Sequence, residues 1–167
     1  MPEKQTLERA RRDRRQGKSP STQAGEFVRE EMEHIREGKH GARSTKQAIA
    51  IGLSKARRAG VDLKPPRAGS TSERTRRSAA RAYALGHGAA SRQRSSSRRS
   101  RATERALQGE GHAAASSSSL ARQARGAARK RTSAARSASA RQAARTKGAR
   151  GRSTAARKAA HTRELGA

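Results

Sequence analysis

Large apolar side chains almost vanish from the second half of this chain. From residue 87 to the C-terminus Leu107, Leu120 and Leu165 are the only ones, and the whole sequence holds one Phe, one Tyr and no Trp. Burying a large apolar side chain contributes about 1.5–3 kcal/mol, while ordering one residue's backbone costs about 1–2 kcal/mol. A core can therefore form only where such side chains recur, which is the N-terminal half. Ala, Ser, Arg and Lys make up 56 of the 81 residues from 87 onward, and low hydrophobicity with high charge is a signature of disorder. The expectation is a mainly α protein: a small helical hairpin or three-helix N-terminal region, then a long disordered basic tail over 87–167. Ser116 to Ser119 reads as flexible linker within that tail. Ala and Arg both favour helix, so nascent helices are expected there once a polyanion neutralises the arginines.

Within the N-terminal half the best-specified segment is 20–37. Ser19 is a suitable N-cap and Pro20 suits the first helical position. Ala24, Phe27, Val28, Met32 and Ile35 recur at spacings of three and four, a single apolar stripe. Glu26, Arg29, Glu30, Glu33 and Glu37 fall on the other face, with Glu31 at the stripe's edge, and Gly38 suits the stop. A second helix is predicted over 44–59. Ser44 and Gln47 match a capping box, and Ala48, Gly52 and Ala56 make a small-residue face that a neighbouring helix can approach closely. Gly60 and Pro65-Pro66 end it, and Val61 and Leu63 can fold back on the pair. The connection of about six residues is long for a helix-turn-helix, so an antiparallel hairpin is favoured. A third helix is predicted from about Ser72 to Leu85, with Ser70 and Glu73 as capping box and Ala79, Tyr83 and Leu85 as a weak stripe. Residues 1–18 carry little beyond Leu7 and Ala10 to pack, and read as a solvated basic arm. The divisions are thus 1–18, 19–66, 67–86 and 87–167.

The charge narrows the function. The chain carries 41 Lys and Arg against 13 Asp and Glu, a net of +28, and residues 87–167 alone contribute 20 basic and 3 acidic groups, a net of +17. Such a potential draws polyanions, and phosphate neutralisation releases condensed counterions without reading sequence. The expected partner is DNA, bound independently of sequence in a histone-like, nucleoid-associated manner. The expected contacts are Arg122, Arg125, Arg129, Lys130, Arg131, Arg136, Arg141, Arg145, Lys147, Arg150, Arg152, Arg157 and Lys158 in the tail, with Lys46, Lys55, Arg57 and Arg58 as a second, structured contact. RNA or ribosome association rests on the same electrostatics and is the alternative, although two aromatics give no stacking platform for single strands. A further alternative is a plasmid-maintenance or interaction protein, with helices 20–37 and 44–59 pairing with a partner or forming a homodimer. No apolar run approaches a membrane span, and the charged N-terminus lacks a signal-peptide core. The expected location is the cytoplasm, on the nucleoid, with no membrane partner.

The run Glu37-Gly-Lys-His-Gly-Ala-Arg-Ser-Thr-Lys-Gln-Ala-Ile-Ala-Ile-Gly-Leu-Ser-Lys-Ala-Arg-Arg-Ala-Gly60, with Ser19-Pro-Ser-Thr-Gln-Ala-Gly-Glu-Phe-Val-Arg-Glu-Glu31 before it, resembles small basic bacterial proteins of a domain family of unknown function. Some of these carry the label DNA-binding or plasmid-stabilisation. The resemblance covers about residues 1–85 and implies no catalytic residue. The tail is similar in composition to histone-like and linker-histone tails.

Catalytic chemistry finds no foothold. The absence of cysteine excludes disulfides, Cys-ligated zinc and thiol catalysis. No nucleophile elbow or phosphate-cradling glycine loop occurs. Glu30, Glu31, Glu33 and Glu37 read as a solvated face partnering nearby Arg. The five histidines, His34, His40, His87, His112 and His161, include no pair at metal-ligand spacing on one helix, and His34 and His40 straddle a loop with Glu37 between them. No enzymatic activity, metal or cofactor is expected.

Overall fold

The computed structural model describes residues 2–88 and 97–164; Met1, 89–96 and 165–167, including Leu165 and part of the expected tail, lie outside the described residues. Seven helices and one 3-10 turn follow in order, and the described residues contain no strand: α1 Lys4–Arg15, α2 Pro20–Arg36, α3 Thr45–Arg58, α4 Glu73–Gly86, α5 Ser97–Gln108, the turn Ala113–Ala115, α6 Ser117–Arg129 and α7 Ser133–Glu164. The chain divides into two compact units, Met1–Gln123 and Ala124–Ala167.

α2 and α3 form as their local signals dictate. The Ser19 side chain accepts from the Thr22 N–H with Pro20 at the first helical position, and Ser44 accepts from the Gln47 N–H. The capping box at α3 is displaced by one residue, because Gln47 Oε1 accepts from the N–H of Arg43 at 2.9 Å. Past α2, Gly38 adopts φ 75°, which lets its N–H reach Ile35 O and the Lys39 N–H reach His34 O. These two bonds satisfy carbonyls that the helix end would otherwise leave open. The same closure at Gly60 turns Val61 back so that its N–H meets Ala56 O.

α2 and α3 run antiparallel. Ala48 at the start of α3 packs with Met32 and Ile35 near the end of α2, Gly52 meets Phe27 and Val28, and Ala56 packs with Ala24 and Phe27. Each turn forward along α3 thus meets a turn backward along α2. The small-residue face sets how closely the helices approach. Val61 is buried, with Leu63 packed against the same cluster, as the fold-back expected of them requires.

The first eighteen residues depart from the expected arm. α1 docks on α2, burying Thr6, Ala10 and Asp13. Ala10 is buried with Ala24 and Phe27 and Leu7 packs against the same cluster, so the two apolar side chains do pack, while Thr6 and Asp13 complete a stripe that an apolar count does not reveal. Polar ties hold it: Arg9 Nε stands 3.0 Å from Glu26 Oε2, and the Glu3 N–H donates to Glu30 Oε2 at 3.2 Å. α4 is capped by Ser72, whose side chain accepts from the Thr75 N–H, and not by Ser70. It buries Ala79, as expected, together with Ala82, while Tyr83 and Leu85 of the expected stripe are only half-buried. Its last residue, Gly86, approaches α3 so closely that a Cβ there would stand 1.9 Å from Arg57 O.

The larger correction concerns the tail. α5, α6 and α7 are helical, so no long disordered basic tail exists among the described residues. A scarcity of apolar side chains forbids a second core but does not forbid helix. Ala and Arg head the helix propensity scale, and the serines and threonines that read as linker act as caps. Ser116 accepts from the Ser119 N–H and Thr132 from the Ala135 N–H, so the serine run opens α6. Inside α7, Ser139, Thr146, Thr154 and Thr162 donate back to the carbonyl four residues earlier, a bond open to these side chains in a helix. α7 breaks at Gly148, at φ 64° and ψ 176°.

The folded part also extends past residue 86. Ala114 and Ala115 are buried against Met32, Ile35, Ala42 and Ala48, with Leu120 packed alongside. Thr45 Oγ1 donates to Ala114 O at 2.7 Å, and Arg36 Nε donates to Ala115 O at 2.9 Å. The N–H groups of Gly41 and Ala42 donate to Leu107 O and Gly111 O at 2.8 and 3.1 Å. Gly41 tolerates this crossing only as glycine, since a Cβ would stand 1.8 Å from Glu110 O. The apolar faces of α2 and α3 are accordingly covered within the chain.

Candidate nucleic-acid interface

The basic residues of α3 divide into two groups. Lys55 and Arg57 are engaged inside the protein. Lys55 Nζ stands 2.6 Å from Glu31 Oε2 and 3.6 Å from Glu30 Oε1, and both carboxylates are buried. Glu30 and Glu31 therefore leave the solvated face predicted for them; only Glu33 and Glu37 stay there, near Arg29 and Lys39. The helix turns Glu30 and Glu31 toward α3, and a carboxylate can be buried there because an ammonium on the facing helix compensates it. Arg57 is buried, with Nε donating to Leu63 O at 2.9 Å and Nη2 to Lys64 O at 3.5 Å. Burial lowers its pKa from the usual arginine value, yet arginine keeps its charge at physiological pH. Its role is to tie the segment after α3 to the helix.

Lys46 and Arg58 are exposed. Lys46 lines an open cleft with Arg43, Ser44, Thr45 and Ala113, Ala114, Ser119, Arg122 and Gln123. The docking of residues 113–120 onto α3 brings Lys46 and Arg122, 76 positions apart, to one concavity. Arg43 completes a set of three cations there, and the cleft opens at the N-terminus of α3. First-turn N–H groups lack intrahelical acceptors and carry partial positive charge, which suits a phosphate oxygen. Arg43 was not among the sequence candidates. Its signal was its place beside the Ser44 cap, on the side an anion would approach.

The remaining candidates lie on α6, α7 and the residues between them. Arg125, Arg129, Lys130, Arg131, Arg136, Arg141, Arg145, Lys147, Arg150, Arg152, Arg157 and Lys158 are all exposed, as is Arg122. Among the described residues none of the thirteen lies within ion-pair distance of a carboxylate; the pair in this region is His161–Glu164 at 3.9 Å. Arg152 reaches across the Gly148 break to donate to Ala144 O at 2.7 Å. α7 buries no residue. Its nine basic groups in 32 residues fall on several faces, giving about one positive charge per 5 Å of helix contour at about 1.5 Å per residue. Duplex DNA carries one phosphate per about 1.7 Å of axis, so the helix presents fewer charges than the duplex does, and the cations on a face turned to the duplex do not run short of phosphates.

Two further features are relevant. Among the described residues one group could hold a metal ion, Glu31, His34 and His40, whose ligand atoms lie within 4.8 Å of one another. Glu37, which the sequence places between the histidines, pairs instead with Lys39 at 2.9 Å. No helix among the described residues is long and apolar enough to cross a membrane. Comparison with protein-family models, with curated proteins and with solved structures finds no match. The resemblance to small basic bacterial proteins expected over about residues 1–85 gains no support from these comparisons.

Proposed function

We propose that the protein binds DNA independently of sequence, by neutralising backbone phosphates with the exposed cations of α6, α7 and the cleft at the start of α3. The observation that carries this reading is the set of thirteen exposed Arg and Lys between 122 and 158, none held by a carboxylate among the described residues. A helix of alanine and arginine without a buried face has no packing role to explain its composition. Its cations are available to a polyanion, and released counterions supply the driving force. The cleft of Arg43, Lys46 and Arg122 adds a contact of fixed shape. Lys55 and Arg57 fall outside the interface, because their charges are used within the fold.

A gel-shift or fluorescence titration of the full chain over a salt series tests the reading. Neutralising about ten phosphates gives a log–log slope of about −9 on duplex DNA. Replacing Arg136, Arg141, Arg145, Lys147, Arg150, Arg152, Arg157 and Lys158 by Gln keeps helix propensity and removes eight charges, so the slope becomes shallower by about 7. A wild-type slope shallower than about −3, or an unchanged slope in the Gln variant, overturns the proposal. Competition by structured RNA at equal phosphate concentration identifies the preferred polymer; RNA outcompeting duplex DNA would assign the chain to RNA.

A further inference from the structure

The buried acidic pair on α2 meets one ammonium and one imidazole. Glu30 and Glu31 are both buried, and among the described residues the one ammonium against them is Lys55. Glu30 Oε2 additionally accepts from the Glu3 N–H, but neither oxygen of Glu31 takes part in a hydrogen bond. Glu31 Oε2 faces Lys55. Oε1 faces His40 Nε2 at 3.2 Å.

His40 is oriented in a way that makes this contact informative. Its Nδ1 lies 3.1 Å from the carbonyl oxygen of Gly41, which can only accept, so Nδ1 carries the hydrogen. In the neutral ring Nε2 then bears a lone pair aimed at a carboxylate oxygen. Two acceptors then face each other across 3.2 Å, a contact that either a proton on Nε2 or a cation shared by both atoms closes, and the approach of a third donor, His34, to the same place points to the shared cation. A backbone carbonyl fixing one ring nitrogen so that the other can ligate is the usual outer-shell arrangement of a metal-bound histidine. His34 stands one helical turn beyond Glu31 on the same face, and its ring is held at Nε2 by Glu3 Oε1 at 2.8 Å. The Gly38 turn returns the chain so that His40 joins them.

We propose that Glu31, His34 and His40 bind a divalent transition-metal ion of the zinc class. Two imidazoles and one carboxylate form a borderline donor set that suits Zn2+, and a metal bond of about 2.0–2.1 Å to each places tetrahedral ligands about 3.4 Å apart. The His40–Glu31 edge already has that span, and no edge exceeds 4.8 Å. Small side-chain rotations close the rest. Lys55 keeps Oε2, so Oε1 serves the ion. The metal would join the segment before α1, the end of α2 and the loop after it, through Glu3, Glu31, His34 and His40. The site is independent of DNA binding: none of its residues belongs to the proposed interface.

The test is equilibrium dialysis of the metal-stripped full chain against Zn2+, with bound metal counted per chain, alongside thermal unfolding with and without Zn2+. The wild type should bind one equivalent, and its melting temperature should rise with Zn2+ because a ligand of the native state stabilises it. His40→Gln and His34→Gln should each lower affinity by tenfold or more and abolish the thermal shift, while His161→Gln leaves both unchanged. Both variants change half-buried imidazoles, so each is first confirmed helical by circular dichroism. Should one fail to fold, Co2+ bound to the wild type supplies the readout, through the intense visible bands of a tetrahedral site. Absence of a stoichiometric Zn2+ ion on the wild type, or full binding in the His34→Gln/His40→Gln double variant, overturns the proposal. A chain of net charge +28 repels loose divalent cations, so a bound equivalent reports a built site.

Discussion

Gly52 on α3 lies against Val28 on α2 so closely that a Cβ at 52 would stand 2.7 Å from the Val28 Cα and 3.0 Å from Phe27 O. The clash is with backbone, which cannot swing aside. Gly52→Ala gains about 0.5–1 kcal/mol of helix propensity but forces the two helices apart. Overpacking of this kind costs about 1–3 kcal/mol, so the expected result is a net loss of about 1–2 kcal/mol. Urea unfolding followed by circular dichroism measures it; a variant as stable as wild type would contradict the close approach.

Lys55 and Lys46 lie on one helix and should respond in opposite ways. Lys55→Met removes the ammonium facing two buried carboxylates. Breaking a fully buried pair costs about 3–5 kcal/mol, and the Lys55 side chain is 24% exposed, so a loss of about 2–3 kcal/mol is expected after allowing for solvent screening. Lys46→Met should change stability by less than about 0.5 kcal/mol, as surface substitutions do, and should weaken DNA binding. Stability and binding measured on both variants separate the two roles.

The docking of residues 113–115 depends on Thr45. Thr45→Val keeps the shape but leaves Ala114 O without its 2.7 Å donor in a buried place. The unsatisfied carbonyl costs about 1–3 kcal/mol. Hydrogen exchange gives the specific readout: the Gly41 and Ala42 N–H groups, bonded to Leu107 O and Gly111 O, should exchange faster, while those in the middle of α2 should not.

Glu73 provides a pH dependence with a definite sign. Arg76 donates to both its oxygens, at 2.7 and 2.8 Å, and this lowers the Glu73 pKa from its ordinary value of 4.5. A folded-state pKa below the unfolded one contributes stability above pH 4.5 that is lost as pH falls through the lowered value. NMR titration of the Glu73 carboxyl should give a midpoint below 4.5, and Arg76→Ala should return it toward 4.5.

The sequence spoke clearly where one residue decides the local outcome. Ser19 with Pro20, Ser44, Gly38 and Gly60 mark helix ends by chemistry that needs no distant partner. The apolar stripe of α2 and the small face of α3 reveal their own packing through periodicity. What escaped was held by polar or small groups. α1 docks through Leu7 and Ala10 with buried Thr6 and Asp13, and residues 113–120 dock through Ala114, Ala115 and Leu120 and through carbonyls that accept from the Thr45 and Arg36 side chains, sets with too few large apolar residues to raise a periodic signal. Disorder was predicted for 87–167 from the absence of a core. Helix there follows from alanine and arginine propensity together with capping serines and threonines, which act without one.

By itself the sequence determined the helical class, the pairing of α2 with α3 and the large positive charge, because propensity, periodicity and net charge are properties of the chain alone. Only the tertiary structure decided which charges remain available. It turned Glu30 and Glu31 inward onto Lys55, tied Arg57 to Leu63, placed Arg122 beside Lys46 and set His40 against Glu31. A side chain's electrostatic role depends on its burial and on the groups within a few ångströms of it, and residues far apart in sequence supply those groups only once the chain has folded.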